Sequence, residues 1–137
     1  MSDKTLATLV SDIYKTLEEG VKSIPQEVTK AFGERLSALI TERLSSKEEA
    51  PRLRMSNLGT KCNRKLWYSI NKPNLAEKLP GYTKMKFLFG DIIEELVLFL
   101  AEVSGHVVTG RQTELNLFGV VGHRDATIEN VLVDVKS

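Results

Sequence analysis

Residues 120–137 read VVGHRDATIENVLVDVKS, and the fold turns on this stretch. Two apolar runs, VVGHRDATI and VLVDVKS, are separated only by Glu129 and Asn130, the spacing of a β-hairpin with a two-residue loop. With Ile128 facing Val131, the register carries on to place Asp125 opposite Asp134. Directly opposed residues hold their Cβ atoms about 4.5–5.5 Å apart, and two like charges at that distance destabilise the pair unless something positive lies between them. A divalent cation is the expected answer. The period of two also puts Leu132, Asp134 and Lys136 on one face and Val131, Val133 and Val135 on the other, so Lys136 shares a face with both aspartates.

Immediately upstream, Thr113, Leu115 and Leu117 alternate with polar residues as a further strand. Before them the period changes to 3.6. A long helix is expected from about Met85 to Ser104, apolar on most sides, stopped by Gly105 and therefore largely buried. Glu94 lies one turn after Gly90, and an ionised glutamate in so apolar a helix needs a partner; of Glu94 and Glu95, one can face solvent. His123 falls on the Asp125 face as a supporting or solvent-facing residue, and His106 reads as an ordinary strand-start residue.

The first fifty residues form two amphipathic helices, one through Leu6, Leu9, Ile13 and Leu17 and closed near Gly20, the other following Pro25 and running to Leu44 before SSKEEAP. Together they read as a helical hairpin without chemistry, its apolar stripes serving as core or as a docking face. Between Pro51 and Glu77 there is no acid, and Arg52, Arg54, Lys61, Arg64, Lys65 and Lys72 fall in that interval. Ser56 is expected to cap a short helix carrying Cys62, Leu66, Trp67 and Tyr68, and NKPNLAEKLPGYTK reads as a loop. Helices first and an antiparallel meander last give an α+β (mixed α/β) fold.

Three pieces of this sequence resemble a family. FGDIIEE (residues 89–95), VGHRDA (121–126) and VLVDVKS (131–137) resemble, in order and spacing, the three core motifs of PD-(D/E)XK nucleases of the RecB type, which include CRISPR-adaptation and phage recombination exonucleases. The resemblance covers about residues 52–137, and the stretch RMSNLGTKCNRKLWY resembles the opening segment of many such domains. It divides the chain into a helical hairpin (1–50) and a basic helical segment with the N-terminal part of a nuclease core (51–137). It implies that Glu94, Asp125 and Asp134, with the backbone carbonyl of Val135, ligate Mg²⁺ or Mn²⁺, and that Lys136 orients or activates the attacking water. DNA is the implied partner, with Arg52, Arg54, Lys61, Arg64 and Lys65 on phosphates and Trp67 or Tyr68 stacking on a base.

The family core continues past the lysine strand with a helix and at least one more strand. The chain therefore reads as a fragment, or as one half of a split protein completed by a second polypeptide or an oligomer. Cys62 stands where iron–sulfur members place the first of four cluster ligands, but the other three are absent, so a buried structural cysteine is expected instead.

Composition sets the outer bounds. The chain has 137 residues, 42% hydrophobic and 27% charged, which suits one core. A single cysteine excludes an internal disulfide, and no apolar run reaches the roughly 18 residues of a membrane span. The polar start MSDKTLATLV lacks the build of a secretory signal, so a cytoplasmic location is expected, the host cytoplasm for a viral protein. The net charge of +1 hides an uneven distribution: residues 1–50 sum to −2, 51–90 to +8 and 91–137 to −5. A cationic block beside an anionic one suits a polyanion on one surface and bound cations on another. Two further readings stand beside the nuclease: a nucleic-acid-binding module that keeps the fold without turnover, and an assembly half that recruits another chain.

Overall fold

The computed structural model describes residues 3–45 and 50–136. Residues 1 and 2 of the polar start, residues 46–49 within SSKEEAP, and Ser137 at the end of the third motif lie outside them. The fold is α+β. Four α-helices, α1 (Leu9–Glu19), α2 (Gln26–Leu44), α3 (Asn63–Asn71) and α4 (Gly81–Val103), precede five short strands among the described residues. These are β1 (Val108–Thr109), β2 (Thr113–Leu117), β3 (Val120–Arg124), β4 (Ala126–Ile128) and β5 (Val131–Val133). No helix among the described residues is long and apolar enough to cross a membrane.

The helix boundaries follow local chemistry. α1 stops at Gly20, which adopts φ +73°, a left-handed conformation open to glycine. Pro25 precedes α2 and Pro80 precedes α4, both at positions where a missing N–H costs nothing. α4 begins four residues before the expected Met85, because Gly81 to Lys84 continue its first turn from Pro80. α1 and α2 each pack on α4 and make little contact with one another. The rings of Phe32 on α2 and Phe99 on α4 stack with centroids 4.4 Å apart.

The core lies under the second half of α4, where Leu98 and Ala101 meet Ala126 and Ile128 of the sheet, flanked by Leu9, Ile13, Val108 and Val133. Full burial of Leu98 and Ile128 contributes about 1.5–3 kcal/mol each. The expectation of a largely buried α4 fails in its first half. Tyr82, Met85, Phe87 and Phe89 are exposed, since α1 and the short strands reach only the far end of a 23-residue helix.

The strands form a three-stranded antiparallel sheet ordered β1-β4-β5 and a separate β2-β3 hairpin. The register read from the sequence is the one observed: Ile128 pairs with Val131, Thr127 with Leu132 and Ala126 with Val133. Glu129 and Asn130 both take positive φ, 48° and 63°, as a type I′ loop requires. Glu129 is held there by both its backbone N–H, which donates to the Val107 carbonyl, and its carboxylate, which accepts from the Val107 N–H at 2.9 Å. The run VVGHRDATI is not one strand. It breaks at Asp125, where the chain leaves the β2-β3 hairpin and joins the other sheet.

Three local expectations are corrected. Ser56 does not cap α3; it sits in a 3-10 turn (Met55–Asn57) whose N-terminal Arg54 N–H donates to Asn57 Oδ1. Cys62 caps α3 instead, its Sγ accepting from the Lys65 N–H, and it is exposed rather than buried. His106 is buried, its Nε2 3.0 Å from Asp12 Oδ2 on α1 and its Nδ1 3.4 Å from Glu129 Oε1 in the hairpin loop. An isolated strand-start position became a tie between three elements, which no local pattern could announce.

Candidate metal and nucleic-acid site

Asp125 and Asp134 stand just beyond the paired ends of β4 and β5. The ladder aligns them, and its end frees their carboxylates from the sheet. Asp125 Oδ2 accepts from the Val135 N–H at 2.8 Å, and Asp134 is a close acidic neighbour whose presence raises the Asp125 carboxyl. From α4, Glu94 faces the same place: Glu94, Asp125, Asp134 and Val135 line one pocket of about 390 Å³ with Gly90, Asp91 and Arg43 among its other walls. The structure thus brings the expected acids and the Val135 backbone to a single pocket. Lys136 joins them through Asp134, with Nζ 2.5 Å from Oδ2.

The electrostatics are those of crowded carboxylates. Partial burial pushes the Glu94 carboxyl above its ordinary range and the Asp125 charge pushes it further, against a hydrogen bond donated by Gln112. Asp125 is also held above its ordinary range, by burial first and by Asp134, although the Val135 N–H opposes this. Asp134 is held below its ordinary range by Lys136 first and then by its contact with Asp125, and Lys136 is raised by Asp134.

This set of carboxylates suits a hard divalent cation in kind. Its present spacing is not that of a closed ligand shell: among the described residues no three His, Cys, Asp or Glu side chains meet closely enough to hold one ion. Gln112 occupies Glu94 Oε1 and Lys136 occupies Asp134 Oδ2. An ion would take the other oxygen of each acid or displace these partners.

Glu95, adjacent to Glu94, has the opposite setting. It is the buried member of the two, with Arg35 Nε at 3.0 Å and Arg111 Nη1 at 3.7 Å from its Oε2, while Arg111 also reaches Glu102 at 2.9 Å. Neither glutamate simply faces solvent.

A larger cleft of about 1100 Å³ adjoins the pocket and shares Arg43, Asp91 and Glu94 with it. Arg52 and Arg54 line this cleft from the 3-10 turn region, opposite Arg35 and Arg43 of α2. The segment is tied to β3 by the Val121 N–H, which donates to the Leu53 carbonyl, and by a bridge between Arg54 and Val121. Gly122 permits the approach, since a Cβ there would stand 2.6 Å from Met55 Sδ. Arg52 reaches Glu114 Oε2 at 3.4 Å. His123 lines the cleft rather than the acidic pocket, 3.5 Å from the same Glu114 oxygen.

Lys61, Arg64, Lys65 and Trp67 are exposed on and before α3 and line neither cavity. Trp67 and Tyr68 are both exposed and meet edge to face with centroids 5.2 Å apart. Sequence reading missed Gln112, Arg111, Arg35 and Arg43. A lone glutamine before a strand and arginines spaced through an amphipathic helix carry no motif. No family model, curated protein or solved structure matches the chain.

Proposed function

We propose that the chain is a metal-dependent DNA nuclease of the PD-(D/E)XK type, acting as an exonuclease on phosphodiester bonds. The observation that carries this reading is the convergence of Glu94, Asp125, Asp134 and Val135, drawn from α4 and two strand ends, on one pocket. Mg²⁺ or Mn²⁺ held by these groups would lower the pKa of a bound water and neutralise charge growing on the scissile phosphate. Lys136, already against Asp134, would orient that water. Arg52 and Arg54 hold the strand in the adjoining cleft, and Lys61, Arg64, Lys65 and Trp67 offer an exposed outer surface for the same polyanion. The exposed apolar first half of α4 offers a surface to a second polypeptide.

One observation favours a second reading, a nucleic-acid-binding module without turnover: Gln112 and Lys136 already hold one carboxylate oxygen each of Glu94 and Asp134. Incubation of end-labelled DNA with Mg²⁺, Mn²⁺ or EDTA separates the two. The nuclease reading expects metal-dependent digestion that falls by about 10³-fold, several kcal/mol of barrier, in Asp125→Ala and in Lys136→Ala. Digestion that survives both substitutions refutes it, and salt-sensitive binding with no digestion supports the second reading.

A further inference from the structure

The N-terminal helices carry no motif, yet α2 delivers two arginines to the wall of the cleft, and the two have different fates. Arg35 is committed to the buried Glu95. Arg43 is half exposed, its side chain at 50%, and its Nε lies 2.5 Å from Asp91 Oδ2. Asp91 precedes Glu94 by three residues, so both acids share one face of α4. Arg43 alone among the arginines lines both the cleft and the acidic pocket.

An exposed ion pair such as Arg43 with Asp91 contributes little, about 0–1 kcal/mol. A guanidinium meets a phosphate with two parallel hydrogen bonds, so exchange of Asp91 for a phosphodiester oxygen costs little and gains a charge-assisted pair. We propose that Arg43 is a phosphate-binding residue of the site, gripping the strand at the point where it passes from the arginine-lined cleft to the carboxylates. The proposal rests on the nuclease reading for its substrate class, and it brings the N-terminal helical segment into the substrate site.

The test is fluorescence anisotropy with a labelled single-stranded DNA oligonucleotide in EDTA, so that no cleavage occurs, over a series of salt concentrations. Arg43→Gln is expected to weaken binding about tenfold, one charge-assisted contact. It should also reduce the slope of log K against log salt by about 0.7, one phosphate contact on a single strand. Arg43→Lys, which keeps the charge, should retain most of the affinity, and Asp91→Asn, which releases Arg43, should bind at least as tightly as the wild type. Arg43→Gln indistinguishable from the wild type in affinity and slope overturns the proposal, as does a wild type that binds no DNA. A wild type that binds through Arg43 but never cleaves with Mg²⁺ or Mn²⁺ refutes the nuclease reading and leaves this one standing. One that cleaves while Arg43→Gln binds unchanged refutes this one alone.

Discussion

Two regions meet on α4 within one peptide bond. Around Glu95, the acid has opposite partners: Arg35 and Arg111, with Glu102, close a partly buried network between α2, α4 and the segment before β2. Around Glu94, the nearest charges are acids, and Glu94 and Asp125 are both pushed toward their protonated forms. The first arrangement is how a fold tolerates burial of a carboxylate. The second is a standing cost that a bound cation would remove, and perturbed groups of this kind cluster at functional sites. Adjacency in sequence tells little here, because successive helical residues point about 100° apart and the two side chains meet different elements.

The comparison breaks most visibly on the Glu95 side. Arg35→Ala leaves a buried Glu95 with only the more distant Arg111, and should lower unfolding stability by about 2–3 kcal/mol in urea titration. Arg43→Ala, removing the exposed pair with Asp91, should cost under about 1 kcal/mol. Equal losses for the two would erase the distinction between the regions.

On the other side the sign reverses. An acid whose folded pKa is raised contributes stability below its unfolded pKa and loses it as pH rises through the folded value, so ionised Asp125 is unfavourable at neutral pH. Asp125→Asn, whose amide oxygen can still accept from the Val135 N–H, should raise the melting temperature in metal-free buffer. A lower melting temperature would show that the carboxylate is structural.

The smallest effect is expected far from both regions. Asp12 is held below its ordinary range first by Lys4 and then by Thr8 and His106. A lowered acid contributes stability present above its unfolded pKa, about 4, and lost as pH falls through the folded value. Asp12→Asn should therefore be less stable at neutral pH and show a shallower loss in acid by circular dichroism. Parallel acid curves would remove Asp12 from the account.

The hairpin was legible because a two-residue loop fixes register, and register alone places Asp125 against Asp134. Glu94 was legible by its offset from Gly90, not by its surroundings. What stayed hidden was long-range. The burial of Glu95 depends on where α2 lies, the burial of His106 on Asp12 and Glu129, and the exposure of Phe87 and Phe89 on how short the strands are. Cys62 illustrates the same limit at short range: a small apolar residue that usually seeks the interior was taken up as a helix cap.

The most direct test is calorimetric titration of the metal-free protein with Mn²⁺. The account predicts one saturable site per chain, lost in Asp125→Asn and Asp134→Asn and weakened in Glu94→Gln, but retained in Glu95→Gln. Absence of binding, or a site indifferent to Asp125 and Asp134, would contradict the proposal that these acids bind one ion.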